Sequence, residues 1–295
     1  MNEFKNYHPI VNFIYFCFAI AFTCIFLHPV TLAISVITSF AYSVVVKGAG
    51  AVKKNLMFML PMLLLMALIN PAFNHQGVTI LAYLPGGNPL TFESIYYGFV
   101  SATMLASVIL FFSCFNDVMT SDKFIYLFGR IIPSLSMIFS MVIRFVPRFA
   151  EQMKITADAQ KCVGRDISNG GFIKRIRNAL SVLSVMTTWS LESAVDTADS
   201  MKSRGYGLKG RTAFSIYTFT KRDRNALIVI LMLSAIVIVG KVMGELDFIC
   251  FPMIQISEFS IYGLMIFVAY FILLSMPVLI EVGEVLKWRA IKSKI

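Results

Sequence analysis

The chain has 295 residues, of which 58% are hydrophobic and 14% charged, with a formal net charge of +10 and a mean hydropathy of +0.77. Soluble globular domains are about 45–50% apolar and about 25% charged, so this composition excludes an ordinary soluble domain and points to helices in a bilayer. The apolar residues come in long unbroken runs, which also excludes a transmembrane β-barrel, whose short strands alternate apolar and polar residues. The excess of positive charge is no argument for nucleic acid, because membrane proteins gather Lys and Arg on their cytoplasmic loops.

In chain order, Tyr7 to Val46 contains no Asp, Glu, Lys or Arg and is long enough for two short spans, broken at His28-Pro29. Ala19-Ile20-Ala21 gives this run the look of a signal peptide, but it continues directly into more apolar sequence and reads as an uncleaved anchor. Charge-free runs over 56–73 (with Pro61 near its start), 94–115, 225–240 and 259–280 predict four further spans. A span needs roughly 17–25 residues, so the fifth is expected to extend to Val242 or beyond. The expected fold is all-α: a polytopic membrane protein of about six spans with long amphipathic helices outside the bilayer.

Loop charge sets the orientation. Lys47, Lys53 and Lys54 lie between spans two and three, and Lys287, Arg289, Lys292 and Lys294 lie in the tail. The stretch 117–222 is dense in Lys and Arg, whereas 74–92, with Pro85-Gly86-Gly87-Asn88-Pro89, has none, and the connection after span five has only Lys241. Both termini and 117–222 are therefore expected on the cytoplasmic side. This gives three regions: 1–116 with about four spans, a cytoplasmic segment 117–222, and 223–295 with about two spans.

The segment 117–222 is too long for a plain connector. Thr120-Ser121-Asp122 reads as a helix start. Arg130 and Arg144 bracket an apolar run, 131–143, interrupted by Pro133 and too short to cross a bilayer. Pro147 predicts a bend, followed by a helix over 149–163 that ends at Gly164. After Asn169-Gly170-Gly171 a longer helix is predicted from about 172 to 203, ending at Gly205. Glu192, Asp196 and Asp199 fall on one face of it and read as a solvated stripe.

The segment also repeats itself. Residues 156–164 read Thr-Ala-Asp-Ala-Gln-Lys-Cys-Val-Gly, and residues 197–205 read Thr-Ala-Asp-Ser-Met-Lys-Ser-Arg-Gly. A helix closed by Gly with cations nearby presents a compact positive terminus. Two copies of one terminus suggest two equivalent docking sites, and so two related partner subunits. The competing explanation is that short helix ends resemble one another because they are capped alike.

No other chemistry is visible. Cys17, Cys24, Cys114, Cys162 and Cys250 form no CxxC or metal-ligand spacing, and four of them lie in or beside apolar stretches, where a packed, reduced thiol is expected. His8, His28 and His75 are scattered. No metal, cofactor or catalytic residue is expected.

At the repeated ends the sequence resembles the T component of energy-coupling factor (ECF) transporters, a family marked by two Ala-Arg-Gly-like motifs closing long cytoplasmic coupling helices. Ser203-Arg204-Gly205 looks like the second motif, with Lys202 before it. Lys161-Cys162-Val163-Gly164 looks like the first, and Arg144-Phe145-Val146-Pro147 is similar to the step that opens the coupling region. The chain departs from the pattern at Val163, where the family has arginine, and Arg165 follows two positions later. Either Arg165 substitutes, or the two docking sites are unequal. The resemblance implies a non-catalytic subunit in the cell membrane that couples two ABC-type ATPases to a small substrate-capturing membrane subunit for vitamin or metal-ion uptake. The chain has no GxxxxGK[ST] loop of its own for ATP. A membrane-embedded enzyme on a lipid substrate is the main rival, but Asp196-Thr-Ala-Asp199 is a single DxxD without a second acidic motif. A secondary transporter would place an ionisable residue inside the spans, and five charge-free runs argue against it.

Overall fold

The computed structural model describes residues 3–48, 50–83, 88–129, 133–206, 208, 217–256 and 260–292. Of the residues singled out above, Pro85, Gly86, Gly87, Arg130 and Lys294 lie outside the described residues, as do the side chains of Pro133 and Arg289. Nine α-helices are described: α1 (Pro9–Ile25), α2 (Pro29–Lys47), α3 (Gly50–Phe73), α4 (Phe92–Val118), α5 (Ser121–Gly129), α6 (Pro133–Cys162), α7 (Phe172–Ser203), α8 (Lys221–Val242) and α9 (Ile261–Lys292). Residues group into two compact units, Met1–Lys123 with Tyr217–Ile295, and Phe124–Ile216.

In the first unit, α2, α3, α4, α8 and α9 are long and apolar enough to cross a membrane. The expected first span is shorter. With 17 residues, α1 rises about 25 Å at 1.5 Å per residue, against a hydrocarbon core of about 30 Å. Local chemistry sets its start: Pro9 occupies the first helical turn and His8 Nδ1 accepts the Ile10 N–H at 3.3 Å. The same device opens α2, where His28 Nδ1 accepts from Val30 N ahead of Pro29. Two histidines without an evident role in the sequence are thus helix caps. Thr220 and Asp223 form a reciprocal capping box at the start of α8.

α4 packs on α1, α2 and α3, and α9 packs on α2 and α8. The buried face of α2 carries Thr31, Ser35, Thr38, Ser39 and Ser43. Small hydroxyl side chains let helices approach closely in lipid and satisfy themselves by hydrogen bonding. Ser35 Oγ lies 2.6 Å from Tyr270 Oη on α9, and Tyr15 Oη donates to the Leu274 carbonyl at 2.8 Å. α9 extends well beyond the run 259–280, through Pro277 and into the charged tail.

Two antiparallel hairpins were not expected. β1 (Ile80–Tyr83) pairs with β2 (Pro89–Thr91), and β3 (Phe248–Ile249) pairs with β4 (Gln255–Ile256). Such short strands leave no readable alternation in a sequence. Glu93 holds the first one down by accepting from Thr79 N at 3.2 Å and Thr79 Oγ1 at 2.8 Å. The cysteines also differ from expectation: Cys114 and Cys250 are buried, but Cys17 and Cys24 are exposed on α1. An apolar run in a bilayer has an outward face as well as a packed one.

In the second unit α6 and α7 form a hairpin. α6 runs as one helix from Pro133 to Cys162 with Pro147 inside it, so the helix expected over 149–163 starts earlier and joins the run before Pro147. A mid-helix proline removes one backbone bond and crowds the preceding turn. Here the neighbouring turns are held by aromatic packing. Phe145 lies 5.7 Å from Trp189 with rings 23° apart, and Phe149 lies 6.4 Å from the same indole. The Arg148 guanidinium sits 5.7 Å from its centroid.

Candidate coupling site

The two repeated sequences end their helices with the same backbone bonds. At the end of α6, Gly164 N donates to Lys161 O at 3.0 Å and Arg165 N to Gln160 O at 2.9 Å. At the end of α7, Gly205 N donates to Lys202 O at 3.0 Å and Tyr206 N to Met201 O at 3.1 Å. Both are Schellman caps, with the glycine left-handed at φ 81° and 70°. Lys161 therefore matches Lys202, Cys162 matches Ser203, and Val163 matches Arg204. The cap alone is not distinctive, because Gly244 closes α8 in the same way. What sets the first pair apart is the repeated sequence upstream; Lys161, Cys162, Val163, Lys202, Ser203 and Arg204 are all exposed.

The two ends are not equivalent in their surroundings. Thr156, in the first copy, is buried with its hydroxyl 3.5 Å from Met186 Sδ. Its counterpart Thr197 is exposed and bonds only back to Ser193 O, at 2.6 Å. Val163 is 73% exposed, an apolar side chain where the second end carries a guanidinium. Arg165 Nη1 lies 3.4 Å from Ser181 Oγ, turned onto its own hairpin.

The first end is backed by a folded connection. Asp166 accepts from Ser168 N at 2.9 Å, Ser168 Oγ at 2.7 Å and Asn169 Nδ2 at 2.9 Å. The Ser168 bonds hold its carboxyl below the usual carboxylate range. Asn178 Nδ2 bonds Asp166 O at 2.8 Å and Arg175 Nε bonds Ile167 O at 3.0 Å, fastening the connection to α7. Neither Asp166 nor Asn178 stood out in the sequence.

The second end opens on a groove of 1030 Å³ between the first half of α6 and the last half of α7. Arg144, Arg148, Asp196, Met201, Arg204 and Tyr206 are among its lining residues. Arg144 and Arg204, 60 positions apart in sequence, therefore share one surface. Lys161, Cys162, Val163, Gly164 and Arg165 do not line it, and Pro147 lies on α6 beside it. From Ser181, where Arg165 docks, to Arg204 is roughly 35 Å along α7 at 1.5 Å per residue.

Trp189 is an aromatic anchor shared by three α6 side chains. Trp189→Ala removes the indole that Phe145, Phe149 and Arg148 share, and the expected cost is on the order of 2 kcal/mol, below a full core truncation because Trp189 is half-buried. Hydrogen exchange across 140–190 is expected to rise in this variant while α1–α4 stay protected. Among the described residues no cluster of three or more His, Cys, Asp or Glu could hold a metal ion.

Comparison with known proteins gives a consistent picture. The chain is 34% identical over 110 residues to the energy-coupling factor transporter transmembrane protein EcfT of Lactobacillus helveticus, covering 37% of this chain and 39% of that protein. It is 29% identical over 171 residues to EcfT of Bacillus selenitireducens, covering 52% and 64%. It is 30% identical over 105 residues to EcfT of Lactococcus lactis, covering 35% and 40%. The matches span less than two thirds of the length of each of these relatives. No protein-family model matches the chain.

Proposed function

From the chain's similarity to EcfT proteins over 35–52% of its length, and its character as a multi-pass, all-α membrane protein, we propose that it is the energy-coupling transmembrane subunit of an ABC-type importer and is itself non-catalytic. Its partners in this reading are two ABC-type ATPase subunits, a small membrane subunit that captures a vitamin or metal ion, and the lipid of the cell membrane. The segment 117–222 lies on the cytoplasmic side.

The observation that carries the reading is the duplicated terminus. One hairpin presents two helix ends with the same cap and the same upstream sequence, and the Ser181 contact of Arg165 lies about 35 Å along α7 from Arg204. A single rigid pair of helices with two matched ends suits two matched partners that move relative to one another. When the ATPases close on ATP, the ends are drawn together or tilted, and stiff helices pass that displacement on. Arg204 supplies the specific contact at the second end, because a guanidinium pairs a carboxylate in bidentate fashion. The groove beside it, with Arg144 and Arg148, extends the positive surface.

The test is capture of the tagged protein from its native membrane, with identification of what comes along. Two ABC-type ATPases are expected with the parent chain and are expected to be lost with Arg204→Glu, which turns attraction into repulsion. Retention of the ATPases by Arg204→Glu, or their absence from gently solubilised parent protein, overturns the reading.

A further inference from the structure

The polypeptide leaves the spans after α4 and returns to them before α8, and both crossings are fastened to the same short stretch near the N-terminus. We propose that residues 4–12 form a clasp that holds both ends of the 124–216 segment to the spans, with Lys123 as its positioning residue. The clasp's existence rests on geometry, and its role in coupling rests on the function proposed above.

On the departing side, the Lys123 side chain is 4% exposed. Its Nζ donates to the Lys5 carbonyl. With the Asn12 amide oriented to satisfy its neighbours, Nζ also donates to the Asn12 side-chain oxygen at 2.8 Å, while the Asn12 nitrogen donates to Phe4 O at 3.0 Å. No carboxylate forms an ion pair with Lys123 among the described residues. Burial, with Lys5 adding repulsion, lowers the Lys123 ammonium to about 8. A buried cation is costly wherever a leucine would fill the space, so its presence is explained by the bonds it makes to residues 5 and 12.

On the returning side, Phe219 meets the His8 ring edge-on at 5.2 Å, and the Arg222 guanidinium lies 4.1 Å from the centroid of Tyr7. The buried Asp223 accepts the His8 N–H at 3.0 Å while its other oxygen accepts from Thr220 N at 2.9 Å. Glu281 on α9 accepts Glu3 N at 2.7 Å, tying the outer end of the same stretch. The clasp runs straight into α1 at Pro9, and Phe4, Tyr15 and Phe16 join it to the aromatic core. Two chain crossings bound to one element cannot shift independently. A displacement that reaches these two crossings is thus delivered to α1.

The experiment uses the purified full chain with its co-purifying ATPases in lipid nanodiscs, followed by hydrogen–deuterium exchange with and without ATP plus vanadate. In the parent protein, nucleotide is expected to alter exchange in 3–12 as well as in 133–206. Lys123→Met is expected to raise exchange in both 3–12 and 217–224 by about tenfold, the scale of one buried bond lost. The ATPases stay bound in that variant, and the nucleotide response no longer reaches 3–12. Arg222→Leu, an exposed position, opens the clasp from the other side and gives the same pattern should Lys123→Met fold poorly. A rise confined to 118–123 in Lys123→Met, or a nucleotide response that still reaches 3–12 in both variants, overturns the proposal. If the parent chain carries no ATPase, the coupling reading fails by itself, and the clasp is then decided by whether 3–12 and 217–224 open together.

Discussion

Arg204→Ala is expected to abolish ATP-driven uptake while leaving the protein inserted and the α6/α7 hairpin folded. The side chain is exposed at the position just before Gly205. The cap is made by backbone groups, so truncation leaves its bonds in place, and exposed substitutions usually change stability by within about 0.5 kcal/mol. A guanidinium paired with a carboxylate across a desolvated interface is different: truncating one partner costs about 2–5 kcal/mol, at least about 30-fold in affinity. Val163→Ala at the matching position removes only two methyl groups from an apolar contact, an expected loss of about 1 kcal/mol. Uptake of the cargo, assayed beside ATP hydrolysis by the same complex, separates the cases. Arg204→Ala should hydrolyse ATP without transport or lose its ATPase, and Val163→Ala should transport at a reduced rate. Normal uptake by Arg204→Ala removes the coupling role, and equal losses in both variants mean that the two ends are equivalent after all.

What could be read in advance follows the range of the interactions involved. Span positions were legible because lipid excludes charge over a whole helix, and a run such as 225–240 announces itself. The ends of α6 and α7 were legible because a Schellman cap is built from consecutive residues and demands glycine at one place. The continuity of α6 through Pro147 was not, because proline is a local signal for a break and the packing that offsets it comes from Trp189, more than forty residues away. The clasp was the least visible. Its bonds join residues 118, 215 and 278 positions apart, and nothing in the pattern around Lys123 distinguishes a buried ammonium from a solvated one. His8 and His28 were visible as letters but not as caps, since histidine is not a usual residue in that role.

Gly98→Val is expected to have the largest effect on the spans. α3 packs mainly against α4 and turns Leu64 and Leu68 outward, so that one contact decides whether it stays in place. At Gly98 the helices are so close that a Cβ would sit 3.0 Å from Asn70 Cβ, 3.1 Å from the Met66 carbonyl oxygen and 3.3 Å from Ala67 Cα. Two of these three atoms are backbone and the third is fixed to it, so relief requires the helices to separate. Gly240 makes a useful contrast. Its added Cβ would come nearer still, 2.4 Å from Ile266 Cδ1, 2.7 Å from its Cγ1 and 3.0 Å from its Cγ2, all of them side-chain atoms. There relief falls on one side chain, and a β-branched isoleucine in a helix has little χ1 freedom to give. Overpacking typically costs about 1–3 kcal/mol, and Gly98→Val belongs at or above the upper end. In detergent, Gly98→Val should lower the thermal aggregation midpoint by on the order of 5 °C or more. An unchanged midpoint would show that α3 and α4 can part without loss, and that small residues at this crossing are not what holds the span in place.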